Sequence, residues 1–390
     1  MPSICFYFKI HQPFRLKNYS VFDIGEDFNY FDDERNKMYL DRIVQKCYIP
    51  TLNLIYELIK ETNFRFKASF GLTGTLIEQF KLWHPEVLDL FKKVASTGCI
   101  EFTGETYYHS LSSLFSIKEF IEQIELHKKI IEKEFMQIPK VFSNTELIYF
   151  DELENILPDL GFNAIITEGV DWILGWRSPN FIYESPQGKL KIFLRNYKLS
   201  DDISFRFSSR DWDGWPLTAD KFASWVAQFR GNGEVINLFM DFETFGEHQW
   251  AETGIFEFLA NLPFEILKYK DLEFSTLSEA LKKYPVRGTY SSYYPITWAD
   301  TERDLTAWLG NEMQKDSAYR LYQLENRIKS KDENFLDTWR KLQTADHFYY
   351  MCTKWFADGD VHKYFNPYEN PYVAYLNFRN VLEDLNLRLK

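Results

Sequence analysis

Four places in the chain put carboxylates or imidazoles where an apolar run stops. They are His11-Gln12-Pro13, the stretch Glu101 to Glu105 with His109 just beyond, Asn144-Thr145-Glu146, and Asp241-Phe242-Glu243 followed by Glu247 and His248. A single carboxylate in such a place is ordinarily a helix cap or an ion-pair partner. Several converging on one face suit another task. Cleaving an acetal bond uses two carboxyl groups, one ionised to attack or stabilise the anomeric carbon and one neutral to protonate the departing oxygen. The chain offers more candidates than that task needs. Asp241 and Glu243 are two residues apart, so they share a face of an extended segment and spacing does not choose between them. A charge on Glu243 or Glu247 would raise the pKa of Asp241.

Such ends need a scaffold that brings them together. Short β-branched or aromatic runs, at Ile4–Ile10, Phe64–Phe70, Cys99–Thr103, Lys140–Asn144, Asn163–Thr167, Leu190–Arg195, Glu234–Met240 and Leu272–Ser275, alternate with helical patterns. Repeated β-α alternation predicts a parallel sheet closed into a barrel of seven or eight strands, whose reactive groups sit at the C-terminal strand ends. Ser116 and Glu119 have the spacing of a capping box, as do Thr276 and Glu279, which explains Glu279 without a substrate. Gly231-Asn232-Gly233 stops the helical pattern Lys221–Phe229 ahead of the seventh run. Beyond about Tyr284 the strand signals end. Glu302–Lys329, Glu333–Met351 and Val373–Leu389 read as three helices, with an aromatic loop from Trp355 to Tyr372 that contains Asp358-Gly359-Asp360. The expected division is a barrel at 1–285 and a helical domain at 286–390.

Over 390 residues, 57 acidic and 45 basic side chains give a net charge of −12, which repels phosphate backbones and anionic lipid and argues against a nucleic-acid or membrane partner. The four cysteines, Cys5, Cys47, Cys99 and Cys352, have no paired spacing and read as reduced thiols. With no leader pattern and no apolar run long enough to span a bilayer, a cytoplasmic protein is expected. Aromatic residues form 18% of the chain, more ring surface than a core ordinarily uses, and sugar stacking is one outlet for it.

The segments HQP at 11–13, GCIEFTGETYYHS at 98–110, FSNTEL at 142–147, MDFETFGEHQW at 240–250 and LSEA at 277–280 resemble, in order, the five sequence regions of glycoside hydrolase family 57, above all its α-amylase-type members. The resemblance covers nearly the whole chain. It implies an α/β fold, an incomplete (β/α)7 TIM-like barrel with a helical C-terminal domain, where the alternation leaves eight strands open. It also implies a retaining reaction on α-1,4-linked glucan, with Glu146 as nucleophile and Asp241 as general acid/base, their carboxyl groups roughly 5–6 Å apart. On the same basis His11 is a sugar hydrogen-bond partner, Glu101 an organiser of the site, and Trp308 in TAWLGN a ring projected into the cleft by the helical domain. His248, Trp298 and Trp215 complete the substrate-binding candidates, with Trp176, Trp212 and Trp250 as further rings in or beside loops.

The same pair of carboxylates would serve a 4-α-glucanotransferase or a branching enzyme, in which a sugar rather than water takes the glycosyl group. A non-catalytic glucan-binding protein is disfavoured because both carboxylates are present. A metal-dependent deacetylase or mannosidase needs ligands, and the seven histidines show no HxD, HxxxH or HExxH spacing. No metal or cofactor is expected, and the partner expected is an α-glucan or maltooligosaccharide.

Overall fold

The computed structural model describes residues 1–354 and 366–389; the Asp358-Gly359-Asp360 loop lies outside them. Ten strands occur among the described residues: β1 (Ser3–Ile10), β2 (Ala68–Leu72), β3 (Ile100–Phe102), β4 (Val141–Ser143), β5 (Ala164–Glu168), β6 (Ile182–Glu184), β7 (Lys191–Arg195), β8 (Val235–Asp241), β9 (Glu273–Phe274) and β10 (Val286–Thr289). All eight residues of β1 are buried, the mark of a strand covered on both faces inside a parallel sheet. It pairs in parallel with β2 and β8, and β9 lies beside its first two residues.

Two ladders, β3-β2-β1-β8 and β10-β6-β7-β5-β4, close into one barrel. Gly104 makes the first junction, donating to Val141 O at 2.9 Å and accepting from Ser143 N at 2.8 Å. A Cβ on residue 104 would stand 2.3 Å from the Phe162 ring, so only glycine lets the strands approach. At the second junction no ladder links β7 to β8. Asn196 N donates to Asn237 O at 2.9 Å, Asn237 Nδ2 to Leu194 O at 2.8 Å and Arg195 Nε to Phe239 O at 2.8 Å. Seven parallel strands thus surround the axis, with β6 antiparallel to β7 at the open seam. This is the incomplete seven-stranded barrel with a helical C-terminal region that the sequence resemblance implies.

Strand alternation sorts the side chains. Ile4, Phe6, Phe8 and Ile10 face the covering helices with Ile236, Leu238 and Met240, while Cys5, Tyr7, Val235 and Phe239 fill the barrel. The inward row continues to Lys9 on β1 and Asp241 on β8, which are paired in register. A second apolar core joins barrel residues such as Leu111, Phe142 and Ile165 to Trp308, Trp339 and Phe378 of the helical region.

Several local readings change. The second strand begins at Ala68 rather than Phe64, because Asn63 and Phe64 take positive φ (53° and 62°) in the turn that ends helix Ile49–Glu61. β6 and β10 were not foreseen; one has three residues, and the other, with Arg287 and Gly288, lacks strand character and pairs with β6 from beyond position 285. The single helix expected at 302–329 is three, Thr306–Leu309, Glu312–Gln323 and Glu325–Ile328, because an Asn311/Gln314 capping box restarts the chain. The second splits into Glu333–Leu342 and Ala345–Tyr349, and the third runs Pro371–Arg388. Thr276 and Glu279 form a full capping box. Ser116 caps Glu119 N, but the Glu119 carboxylate turns instead to Arg340 at 2.7 Å and Lys329 at 2.8 Å. No described helix is long and apolar enough to cross a membrane.

Candidate active site

Glu146 sits in the tight 3-10 turn Thr145–Leu147 directly after β4, with φ 55° and ψ 28°, and Leu147 follows at φ 53°. Two consecutive non-glycine residues in the left-handed region cost roughly 1–2 kcal/mol each. Side chains enforce the turn. Asn144 accepts from Thr145 N at 3.0 Å and donates to Ile148 O at 3.0 Å, while Thr145 Oγ1 donates to Ser110 O at 2.7 Å.

Each oxygen of the Glu146 carboxylate meets a ring nitrogen. Nε2 of His109 lies 2.7 Å from Oε1, and the Trp298 indole N–H donates to Oε2 at 2.8 Å. His109 is itself at φ 51°, and its ring packs on that of His11 with centroids 4.2 Å apart. Burial holds the His109 imidazole well below its usual range, and the neighbouring Lys9 and His11 add to this, so a neutral ring donates to a carboxylate. Burial raises the pKa of Glu146, and the Trp298 hydrogen bond works against that rise.

Asp241 ends β8 with a different set of neighbours. Burial pushes its carboxyl well above the usual range, the charges of Glu243 and Glu146 push it further, and Lys9 and Arg195 pull it back. Burial brings Glu243 up to about 7, with the Tyr48 hydroxyl donating to its carboxylate. Glu247, the other expected contributor, is tied to Arg42 at 2.6 Å instead. One carboxylate held by two N–H donors and one crowded by negative charge face a common cleft of about 760 Å³.

The cleft is lined by His11, Glu146, Asp241, His248, Trp298 and Trp308 of the expected residues. Burial lowers the pKa of His248 to about 4. Glu101 and Trp215 are not on the cleft wall. Glu101 is in register with Ser69, which pairs with Tyr7, two residues before Lys9. Its carboxylate accepts from Ser278 Oγ and, at 3.0 Å, from Ser278 N, so it caps the helix Leu277–Lys283 that plugs the barrel. Trp215 lies on a surface loop under Arg210, and Trp176 and Trp250 are also exposed, while Trp212 packs against the core. Trp308 borders the cleft but is only 1% exposed, packed into the shared core rather than projected from it. Glu105 is buried in an ion pair with Lys9.

Three further cleft residues carry no signature in the sequence. Asp346, in the short helix Ala345–Tyr349, pairs with His11 at 3.0 Å. Arg195 binds the buried Glu168 at 3.0 Å and lies 5.7 Å from the Trp298 ring centroid, while Arg303 donates to Trp298 O. The two arginines hold Trp298 against Glu146. Although no histidine spacing suggested a metal site, the fold brings potential ligand atoms of His11, His109 and Asp346 within 4.8 Å of one another.

Residues 5–296 match the model of glycosyl hydrolase family 57. A Methanocaldococcus jannaschii protein that carries the provisional name alpha-amylase is 48% identical over 99% of this chain and 85% of its own length. Among solved structures, a branching enzyme from Pyrococcus horikoshii superposes with a TM-score of 0.70 at 17% identity over 93% of this chain and 87% of its own. The 4-alpha-glucanotransferase of Thermococcus litoralis gives 0.66 at 17% identity over 89% and 56%. These two likenesses speak to the fold, whereas the family match and the 48% identity speak to descent. The chain is a glycoside hydrolase and belongs to glycosyl hydrolase family 57.

Proposed function

We propose that the enzyme cleaves α-1,4-glucosidic bonds in starch- or glycogen-type glucans or maltooligosaccharides with retention of configuration, Glu146 acting as nucleophile and Asp241 as general acid and then base. The observation that carries this reading is the contrast between the two carboxylates. Two N–H donors aim Glu146 and favour its ionised form against the upward push of burial, while burial beside Glu243 and Glu146 favours a protonated Asp241. In the first step Glu146 attacks the anomeric carbon through an oxocarbenium-like transition state as Asp241 gives its proton to the leaving oxygen. Asp241 then takes a proton from water, which attacks the glycosyl-enzyme and releases Glu146. The catalytic barrel then runs through β10, which pairs with β6 from beyond residue 285, and the chain after it supplies Trp298, Trp308 and Asp346 to the cleft. A cytoplasmic site of action fits the scattered, buried, unpaired cysteines.

The solved relatives include a glucanotransferase and a branching enzyme. The same pair would serve either by admitting a sugar acceptor in the second step. One experiment tests both retention and acceptor: NMR of the first products formed from maltooligosaccharides. α-Configured reducing ends before mutarotation are expected, with total reducing ends rising. β-Configured ends would reject retention, and redistribution of chain lengths without new reducing ends would make the enzyme a transferase.

A further inference from the structure

Three side chains from distant parts of the sequence meet on the cleft wall. His11 follows β1, His109 follows β3 by way of Gly104, and Asp346 lies in the helix Ala345–Tyr349. Each can offer one ligand atom, and the three atoms lie within 4.8 Å of one another. Nε2 of His11 and Oδ2 of Asp346 are already 3.0 Å apart, near the edge of ~3.3 Å that follows from bonds of about 2.0–2.1 Å in a tetrahedral zinc site.

What stands behind the two imidazoles suits ligation. Nδ1 of His11 is 3.0 Å from Thr73 Oγ1, so a proton on Nδ1 can be donated to Thr73 while Nε2 keeps its lone pair. Nδ1 of His109 is 4.0 Å from Glu105 Oε2. Neither that nitrogen nor Glu105 Oε1 makes a hydrogen bond among the described residues. A carboxylate behind the far nitrogen of a histidine is the arrangement that orients metal-bound imidazoles, and Lys9 fixes this carboxylate in place.

We infer that His11, His109 and Asp346 form a capture site for one borderline-soft divalent cation of the Zn²⁺ type, and that its occupancy blocks the reaction of Glu146. Two nitrogens and one oxygen select against Ca²⁺ and Mg²⁺, which take oxygen ligands. Glu146 Oε1, 2.7 Å from His109 Nε2, is within reach of the open fourth position. The balance of protons is simple: each imidazole stays neutral, its one proton on Nδ1 while Nε2 binds the cation. Glu146 thereby loses the His109 donor and is drawn to the ion. The blocking rests on the function proposed above; the binding does not.

The test uses the full chain, stripped with EDTA and titrated with ZnCl₂ by calorimetry and with CoCl₂ by visible absorption. One Zn²⁺ per chain is expected, with tetrahedral Co²⁺ bands, and His11→Asn and Asp346→Asn should each weaken binding roughly 10–100-fold or more. Circular dichroism checks that they are folded; should either fail, Glu105→Gln leaves all three ligands in place and should still weaken Zn²⁺ about 10-fold. Zn²⁺, but not Mg²⁺, should inhibit maltooligosaccharide turnover, and EDTA should restore it. Absence of saturable Zn²⁺ binding, or unchanged affinity in the folded variants, overturns the site. Residue-dependent binding with undiminished turnover overturns the blocking. A protein that turns over no maltooligosaccharide at all refutes the proposed function, and the titration still decides the metal site.

Discussion

The two carboxylates at the ends of β4 and β8 differ in what surrounds them, and the differences set separate expectations. Asp241→Asn should lower turnover about 10²–10⁴-fold, the usual worth of a positioned acid/base, and Glu146→Gln at least as much, each with the fold intact by circular dichroism. Azide should partly rescue Glu146→Ala and give a glycosyl azide of inverted configuration; the same product from Asp241→Ala would mean the roles are exchanged. On the proposed roles, the pH profile of kcat/KM should have an acid limb set by Glu146, which must be ionised, and an alkaline limb set by Asp241, which must be protonated. Both pKa values are raised by burial, so both limbs lie above those of ordinary carboxylates. An ionised Glu243 raises the pKa of Asp241, so Glu243→Gln should move the alkaline limb to lower pH. His109→Gln, which alters a hydrogen bond to an ionised group worth about 1.5–3 kcal/mol, should reduce kcat on the order of 10–100-fold with a smaller change in KM.

At the scale of elements, the helical region is tied to the barrel by buried charge as well as by apolar contact. Glu119 is fully buried and held by Arg340 and Lys329. Arg340→Met should destabilise by about 1.5–3 kcal/mol, the worth of hydrogen bonds to a charged group, because Lys329 still pairs with Glu119; urea melts check it. Trp308→Ala should act mainly on stability, by about 3–5 kcal/mol from the cavity it opens, and thermal melts with and without maltooligosaccharide separate that from lost binding. The sequence identified the strands wherever the inward and outward rows both carried bulky side chains, as in β1 and β8. It failed at β6 and β10, which stand outside the β-α alternation, β6 antiparallel to β7 and β10 paired with β6, and where caps restart helices, as at Asn311. Glu146 and Asp241 were legible because motif and strand end coincide. Asp346 was not, since nothing in Ala345-Asp346-His347 distinguishes a cleft-facing aspartate from a solvated one until His11 is brought to it. Trp298 was read as a stacking ring, and only the fold shows its N–H on Glu146.

Across the molecule, one apolar core contains residues from both parts of the chain, from Leu111 and Phe142 to Trp339 and Phe378. Strand β10, past residue 285, still belongs to a barrel ladder. A chain ended at 285 should therefore expose a core face rather than liberate a barrel. The expected result is insoluble protein, or a product without a cooperative melt, while the full chain melts in a single transition by calorimetry. A soluble, cooperatively folding 1–285 fragment would show two independent units.

With Glu146 as the proposed nucleophile, its left-handed turn sets catalysis and thermal resistance in opposition at one residue. A side chain that accepts φ 55° readily, such as asparagine or glycine, would release backbone strain and remove a half-buried carboxylate together. Glu146→Asn should then melt at a higher temperature than the parent while being inactive. Populations screened for heat resistance alone would drift toward dead variants at this position, so any thermostabilising selection on this scaffold has to be coupled to turnover in every round.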